Sequence, residues 1–226
     1  MLRPFFILVC SLAVILSGFV RFRGVTTQGG LQPCLTDDQL GQAVISLSGN
    51  YNEAQTAQQL LREKARESSA CRQRIITAVM KAMDKPNLDI RREQISNDLW
   101  REGAVLLGDL KAEESLDLLL SHIKMTNGEF SMTMSQQPAL AGIVRMGPLA
   151  VPKLKLLLRS DDSQARYFAV YCLYKIGGSS ARRSLQQALP LESDRCVKRV
   201  IIVSLKEMRG IKPESGEWSS AIFCSS

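Results

Sequence analysis

One histidine, His122, stands in a chain of 226 residues. That scarcity excludes zinc sites built on several imidazoles and proteases of the HExxH type, and it leaves little room for a nucleophile paired with histidine. There is no CxxC pair, no Gly-rich phosphate loop and no EF-hand loop. Aromatic residues make up only 6%, and alternating β-branched runs are scarce, so little points to a sheet. His122 itself lies near a helix end in LLLSHIKM, a position that suits a structural histidine. Two acidic pairs, Asp161-Asp162 and Glu113-Glu114, fall where helices begin. Carboxylates there cap free N–H groups and face the positive end of the helix dipole, so neither pair requires a metal or an acid–base role. No catalytic residue, metal ligand or cofactor is expected, and the chain reads as a non-enzyme.

What the chain does contain is a repeated apolar pattern. Ala169, Leu173, Ile176, Ala181, Leu185 and Leu189 are spaced as one buried seam, with steps of three and four along helices and a step of five across a turn. The series Gly103, Leu107, Leu110, Ser115, Leu119, Ile123 has the same steps. Ala139, Ile143, Met146, Ala150, Leu154, Leu158 has them with a shorter turn. Half of the pattern recurs at Ile201, Leu205, Met208, at Ile76, Met80, Met83 and at Leu40, Val44, Leu47. The seams begin at residues 40, 76, 103, 139, 169 and 201, so the period is near thirty. Two helices per unit at that period predict an α-solenoid, because a lone helix pair cannot hide its apolar face and neighbours must share a core. The turns agree. Gly177-Gly178 and Gly147-Pro148 fall where a helix ends and the next begins. Asp161-Asp162 are placed to cap one helix, Ser193 followed by Asp194 another, and Thr36 with Asp37 a third.

The pattern resembles HEAT-like repeats, in particular the short bacterial form named after the phycobilin lyase subunits. The stretch AVYCLYKIGGSSARRSLQQAL carries the likeness best, followed by GAVLLGDLKAEESLDLLLSHI and ALAGIVRMGPLAVPKLKLLL. The likeness covers Asn97 to Met208 well and Asp37 to Ile95 poorly. It implies an all-α solenoid of about five to six stacked helical hairpins and, most often, a protein-binding scaffold. It implies no catalytic residues, because the matching positions are core positions. A few members bind bilins or nucleic acid. A tetrapyrrole groove would need aromatic lining, for which Trp100 and Tyr171 are available, and a suitably placed nucleophile.

The N-terminus stands apart. Residues 1–24 hold one basic residue, Arg3, before an uncharged run from Pro4 to Val20, which suits a signal peptide or a short membrane anchor. The expected organisation is leader 1–24, linker 25–36, helical repeat domain 37–212 and tail 213–226. The chain is then exported (periplasmic or secreted) or anchored to the membrane through residues 1–20. Six cysteines fit export. Cys34 and Cys71 are the expected disulfide, since two helices between them return the chain to its starting side. Free thiols at both would go with a reducing compartment. Cys172 lies beside Leu173 and reads as a small core residue, while Cys196 and Cys224 have no assigned partner. The loop from Lys124 to Pro138 breaks the period and carries Met125, Met132 and Met134, which suits a tolerated insertion or an adaptable contact.

Net charge is +7 but uneven. From Arg145 to Lys212, fourteen Lys and Arg stand against five Asp and Glu. Lys153, Lys155 and Arg159 on one second helix, with Arg182 and Arg183 on the next, are the expected partner-binding stripe, and Lys198 with Arg199 extend it less firmly. Such a stripe suits a protein or another anionic surface. Nucleic acid is disfavoured because no aromatics interleave with the basic positions. The expected function is a scaffold that binds another macromolecule without catalysis; tetrapyrrole binding and nucleic-acid binding are the alternatives.

Overall fold

A computed structural model describes residues 34–84, 90–125 and 137–212, the stretch 90–97 by its backbone only. The expected leader, most of the linker, residues 126–136 of the Met-containing loop and the tail lie outside these residues. Among the described residues the protein is all helical, with ten α-helices and no strand. They are α1 (Asp37–Ser46), α2 (Tyr51–Glu67), α3 (Ser69–Met83), α4 (Ile90–Asp109), α5 (Leu116–Ser121), α6 (Pro138–Met146), α7 (Val151–Leu157), α8 (Ser163–Ile176), α9 (Gly178–Ala188) and α10 (Arg195–Glu207).

Helices α1, α2, α3, α8 and α10 begin where a polar side chain takes orphan N–H groups, whereas α5, α6, α7 and α9 have no side-chain cap. Thr36 Oγ1 accepts from the Gln39 N–H at 3.2 Å while Gln39 Oε1 accepts from the Thr36 N–H at 3.0 Å, a reciprocal capping box on α1. Asn50 and Glu53 build the same box on α2. Asp162 Oδ1 caps α8 through the N–H groups of Gln164 and Ala165. On α10 the cap is Asp194 rather than Ser193, accepting from Cys196 and Val197 at 2.8 and 3.0 Å. The expected helix start at Pro148 is a 3-10 turn, Gly147–Ala150, that leads into α7. Gly147 and Gly177 follow α6 and α8 at φ of +65° and +71°, where a side chain would strain the backbone.

The expected seams are the core. Ala169, Leu173, Ala181 and Leu185 are wholly buried, as are Leu107, Leu119, Ala139, Ile143, Ala150 and Leu154. The helices that carry the seam starts, α1, α3, α4, α6, α8 and α10, each pack on the next of that set. Beside them, α2 packs on α1, α3 and α4, α5 on α6, α7 on α8 and α9, and α9 on α8 and α10. The tightest crossing is α4 on α6. A Cβ added at Gly142 would lie 2.6 Å from the Ala104 carbonyl oxygen, and one at Gly108 would lie 2.4 Å from the Gly142 carbonyl oxygen. Backbone approaches backbone there, which only glycine permits.

Polar contacts fix the neighbours. Asp109 on α4 takes Arg62 of α2 at 2.7 Å and Arg145 of α6 at 3.0 Å. Gln58, 2% exposed, donates to Glu102, and Arg62 donates to Gln58. At the N-terminal edge Cys34 and Cys71 are joined by a disulfide, with Cα atoms 5.3 Å apart. Cys196 is also disulfide-bonded. Cys172 is the buried free thiol among the described cysteines. Burial pushes that thiol's pKa up, so it is an inert core residue.

Candidate functional site

An open cleft of about 720 Å³ lies between the C-terminal parts of α7 and α9 and the segment entering α10. Its wall on the α7 side carries Lys155, Leu158, Arg159 and Ser160; its wall on the α9 side carries Ser184, Gln187 and Ala188, continuing to Leu191 and Ser193. Lys155 stands on α7 and Arg159 in the turn that follows it, and both line the cleft.

The floor is an ion pair. Arg166, in the first turn of α8, donates through Nε and Nη2 to both carboxylate oxygens of Glu192 at 2.9 and 2.8 Å. Its Nη1 donates to the carbonyl oxygens of Ser160 and Asp161 at 2.8 and 3.1 Å. Glu192 Oε1 also accepts the Asp194 N–H at 2.9 Å. The two side chains are 13% and 5% exposed. Burial pushes the Glu192 carboxyl up, but the Arg166 and Asp194 hydrogen bonds and the guanidinium charge outweigh it, and the group sits below its ordinary value. The Glu192 hydrogen bonds raise Arg166 against the opposing effect of burial. This bidentate pair ties the α7–α8 turn to the α9–α10 segment, and with every strong donor and acceptor engaged it holds the floor rigid.

The cations above it are different. The side chains of Lys155 and Arg159 are exposed and make no ion pair or hydrogen bond to a described residue, and the same holds for the side chains of Gln187 and Ser193. Their donors are open to a ligand.

The structure places the five basic residues of the expected stripe unequally. Lys155 and Arg159 line the cleft together. Arg183 is exposed on α9 and does not line this cleft. Lys153 turns to α5 and pairs with Asp117. Arg182 lines another concavity, of about 440 Å³, with Tyr174, Gly177, Gly178, Ser179 and Glu207. There the Tyr174 hydroxyl donates to Glu207, and burial together with that carboxylate pushes Tyr174 up to about 12. Lys198 and Arg199 are exposed on α10.

Two further residue pairs escaped sequence reasoning. Arg166 and Glu192 are 26 positions apart, and no local spacing joins them. Leu156 and Leu191 are large apolar residues left 68% and 77% exposed, at seam-free positions that look like ordinary surface. The residues available for a tetrapyrrole groove are placed otherwise. Trp100 is 3% exposed, donates from Nε1 to the Met83 carbonyl at 3.1 Å and stacks on His122 with centroids 4.4 Å apart. Tyr171 is 8% exposed. His122 thus serves the packing of α5 on α4.

Among the described residues no group of His, Cys, Asp and Glu is arranged to hold a metal ion, and no helix is long and apolar enough to cross a membrane. No family model matches the sequence, and no curated protein matches it significantly.

Proposed function

We propose that the chain is a HEAT-like α-solenoid, exported or tethered at its N-terminus, that binds another macromolecule at the α7–α9 cleft and performs no chemistry. The observation that carries this reading is the contrast inside the cleft: a saturated ion pair forms its floor, while Lys155, Arg159, Gln187 and Ser193 keep their donors unengaged. Polar groups that serve packing find partners within the fold; groups left open on a rigid concave wall serve a ligand. The serial packing of α1, α3, α4, α6, α8 and α10 supports the solenoid reading, since each unit meets its neighbours along the row. The Cys34–Cys71 disulfide supports export, because such bonds persist in oxidising compartments.

The test is photocross-linking in the native host from a reactive analogue placed at Gln187. The wild-type background should give a discrete adduct. Lys155→Ser with Arg159→Ser should remove it without changing the far-UV spectrum. Irradiation of an extract in about 0.5 M salt, where the screening length falls to about 4 Å, should also prevent it. An adduct that survives both treatments would show that the open cations are not what binds.

A further inference from the structure

We propose that the α7–α9 cleft docks on an anionic phospholipid surface, with Lys155 and Arg159 meeting lipid phosphates and Leu156 and Leu191 entering the acyl layer. This rests on the reading of the cleft as a binding surface and names its partner. The two leucines supply the discriminating observation. Leu191 lines the cleft yet is 77% exposed. Leu156 is 68% exposed on α7, next in the chain to the cleft residue Lys155. A ligand that only filled the concavity would leave Leu156 in water. A bilayer edge meets both requirements at once, because its phosphates lie outside its hydrocarbon, and long basic side chains keep their charges at phosphate depth while apolar neighbours go deeper.

The charges fit in sign. Glu192 is neutralised by Arg166, so the unpaired lining charges are Lys155 and Arg159 against Asp161. Gln187 and Ser193 offer neutral donors for phosphate oxygens beside them. Nucleic-acid phosphates would match the cations but offer nothing to the leucines, and the cleft has no aromatic side chain on which bases stack. An acidic protein segment is the competing partner.

Hydrogen exchange on the full chain tests this locally, so that membrane affinity of the apolar N-terminal run does not enter the readout. The probes are vesicles of phosphatidylcholine alone and of phosphatidylcholine with about 30% phosphatidylglycerol, which carries the anionic surface charge. Peptides covering residues 151–160 and 184–193 should gain protection with the anionic vesicles and not with the neutral ones. In Lys155→Ser with Arg159→Ser, the lipid concentration for half protection should rise about thirtyfold, because each lost surface charge is worth about 1 kcal/mol and about 1.36 kcal/mol is a factor of ten, and added salt should abolish the wild-type difference. In Leu156→Ser with Leu191→Ser, protection should weaken to an extent that salt does not alter, because apolar insertion is unscreened. Arg182→Ser, outside the cleft, should behave as wild type. Flotation of the chain on anionic vesicles without protection of these two segments overturns the proposal, as does protection as strong as wild type in either the charge or the leucine variant. Protection of the segments by a cross-linked protein and not by vesicles overturns the lipid assignment and leaves the binding surface standing; protection by neither removes both.

Discussion

Gly142→Ala is expected to destabilise the protein even though alanine is the better helix former. In an open helix the exchange gains about 1 kcal/mol. At Gly142 the new Cβ would sit 2.6 Å from the Ala104 carbonyl oxygen and 3.1 Å from Leu119 Cδ1. Ordinary carbon–oxygen contacts are about 3.3 Å, so α4 and α6 would have to part by roughly 0.7 Å. The obstacle is a backbone oxygen, which cannot turn aside as a side chain can. Overpacking of this kind costs about 3 kcal/mol at its upper end, leaving a net loss of about 2 kcal/mol once the helix gain is subtracted. In a chain of this size that lowers Tm by about 4–8 °C.

The same exchange at other helical glycines supplies the controls. Gly41 in α1 has no atom within 4 Å of a built Cβ, so Gly41→Ala should raise Tm by about 2–4 °C. Gly103 faces the Met83 sulfur at 2.8 Å, a flexible side chain that can move, and Gly103→Ala should fall between the two. Gly108→Ala meets the same crossing from the other helix, with Gly142 O at 2.4 Å and Arg145 Cβ at 2.7 Å. The double variant Gly108→Ala with Gly142→Ala should cost less than the sum, because one separation of the helices relieves both contacts. Thermal and urea melts followed by far-UV circular dichroism give these values. Gly142→Ala as stabilising as Gly41→Ala would refute the close crossing.

Two further predictions concern the covalent and ionic ties. Cys34→Ser with Cys71→Ser opens a bridge spanning 37 positions and should cost about 4 kcal/mol in the chain-entropy estimate; peptide mapping without reduction should recover the two cysteines as one linked pair, and finding each alkylated would sink the bridge. Acid should weaken the Arg166–Glu192 tie. The Glu192 carboxyl is held below its ordinary value in the folded protein, so its contribution is complete above the unfolded value of about 4.3 and is lost as pH falls through the folded value. Glu192→Gln should therefore lower stability at neutral pH and flatten the acid limb of the stability curve; parallel curves for wild type and variant would refute the assignment.

The helices and their inward faces were legible because a period of three and four along the chain maps directly onto one side of a helix. Leu173 and Ile143 could be assigned to the core from spacing alone, and both are wholly buried. Caps and glycine turns were legible for the same reason, since Asp162 and Gly177 act on atoms a few residues away. Where two local candidates stood side by side the choice escaped. Asp194 and not Ser193 takes the N–H groups of α10, because the carboxylate two residues before Cys196 is the one that reaches them. The Gly108–Gly142 crossing was out of reach, because periodicity says which face is buried and not how near the facing backbone comes.

The charges show most clearly what composition cannot carry. The strong excess of basic residues from Arg145 to Lys212 was read as a stripe, but a cation contributes to a binding surface only if the fold leaves it unspent. Lys153 is spent on Asp117, Arg145 on Asp109 and Arg166 on Glu192. Each of those pairs joins a residue to one at least 26 positions away, a distance at which sequence spacing has no geometric meaning. Lys155 on α7 and Arg159 in the turn after it remain because they open onto the cleft, where neither pairs with an acid. The Arg166–Glu192 pair has a part in that: by binding the Ser160 and Asp161 carbonyls it fixes the turn after α7, and by binding Glu192 it draws in the segment that carries Leu191 and Ser193. Breaking this tie frees both walls, so if the cleft binds as proposed, Glu192→Gln should weaken binding there as well as the fold, whereas Lys155→Ser should weaken binding alone, as hydrogen exchange with anionic vesicles and thermal melts would show.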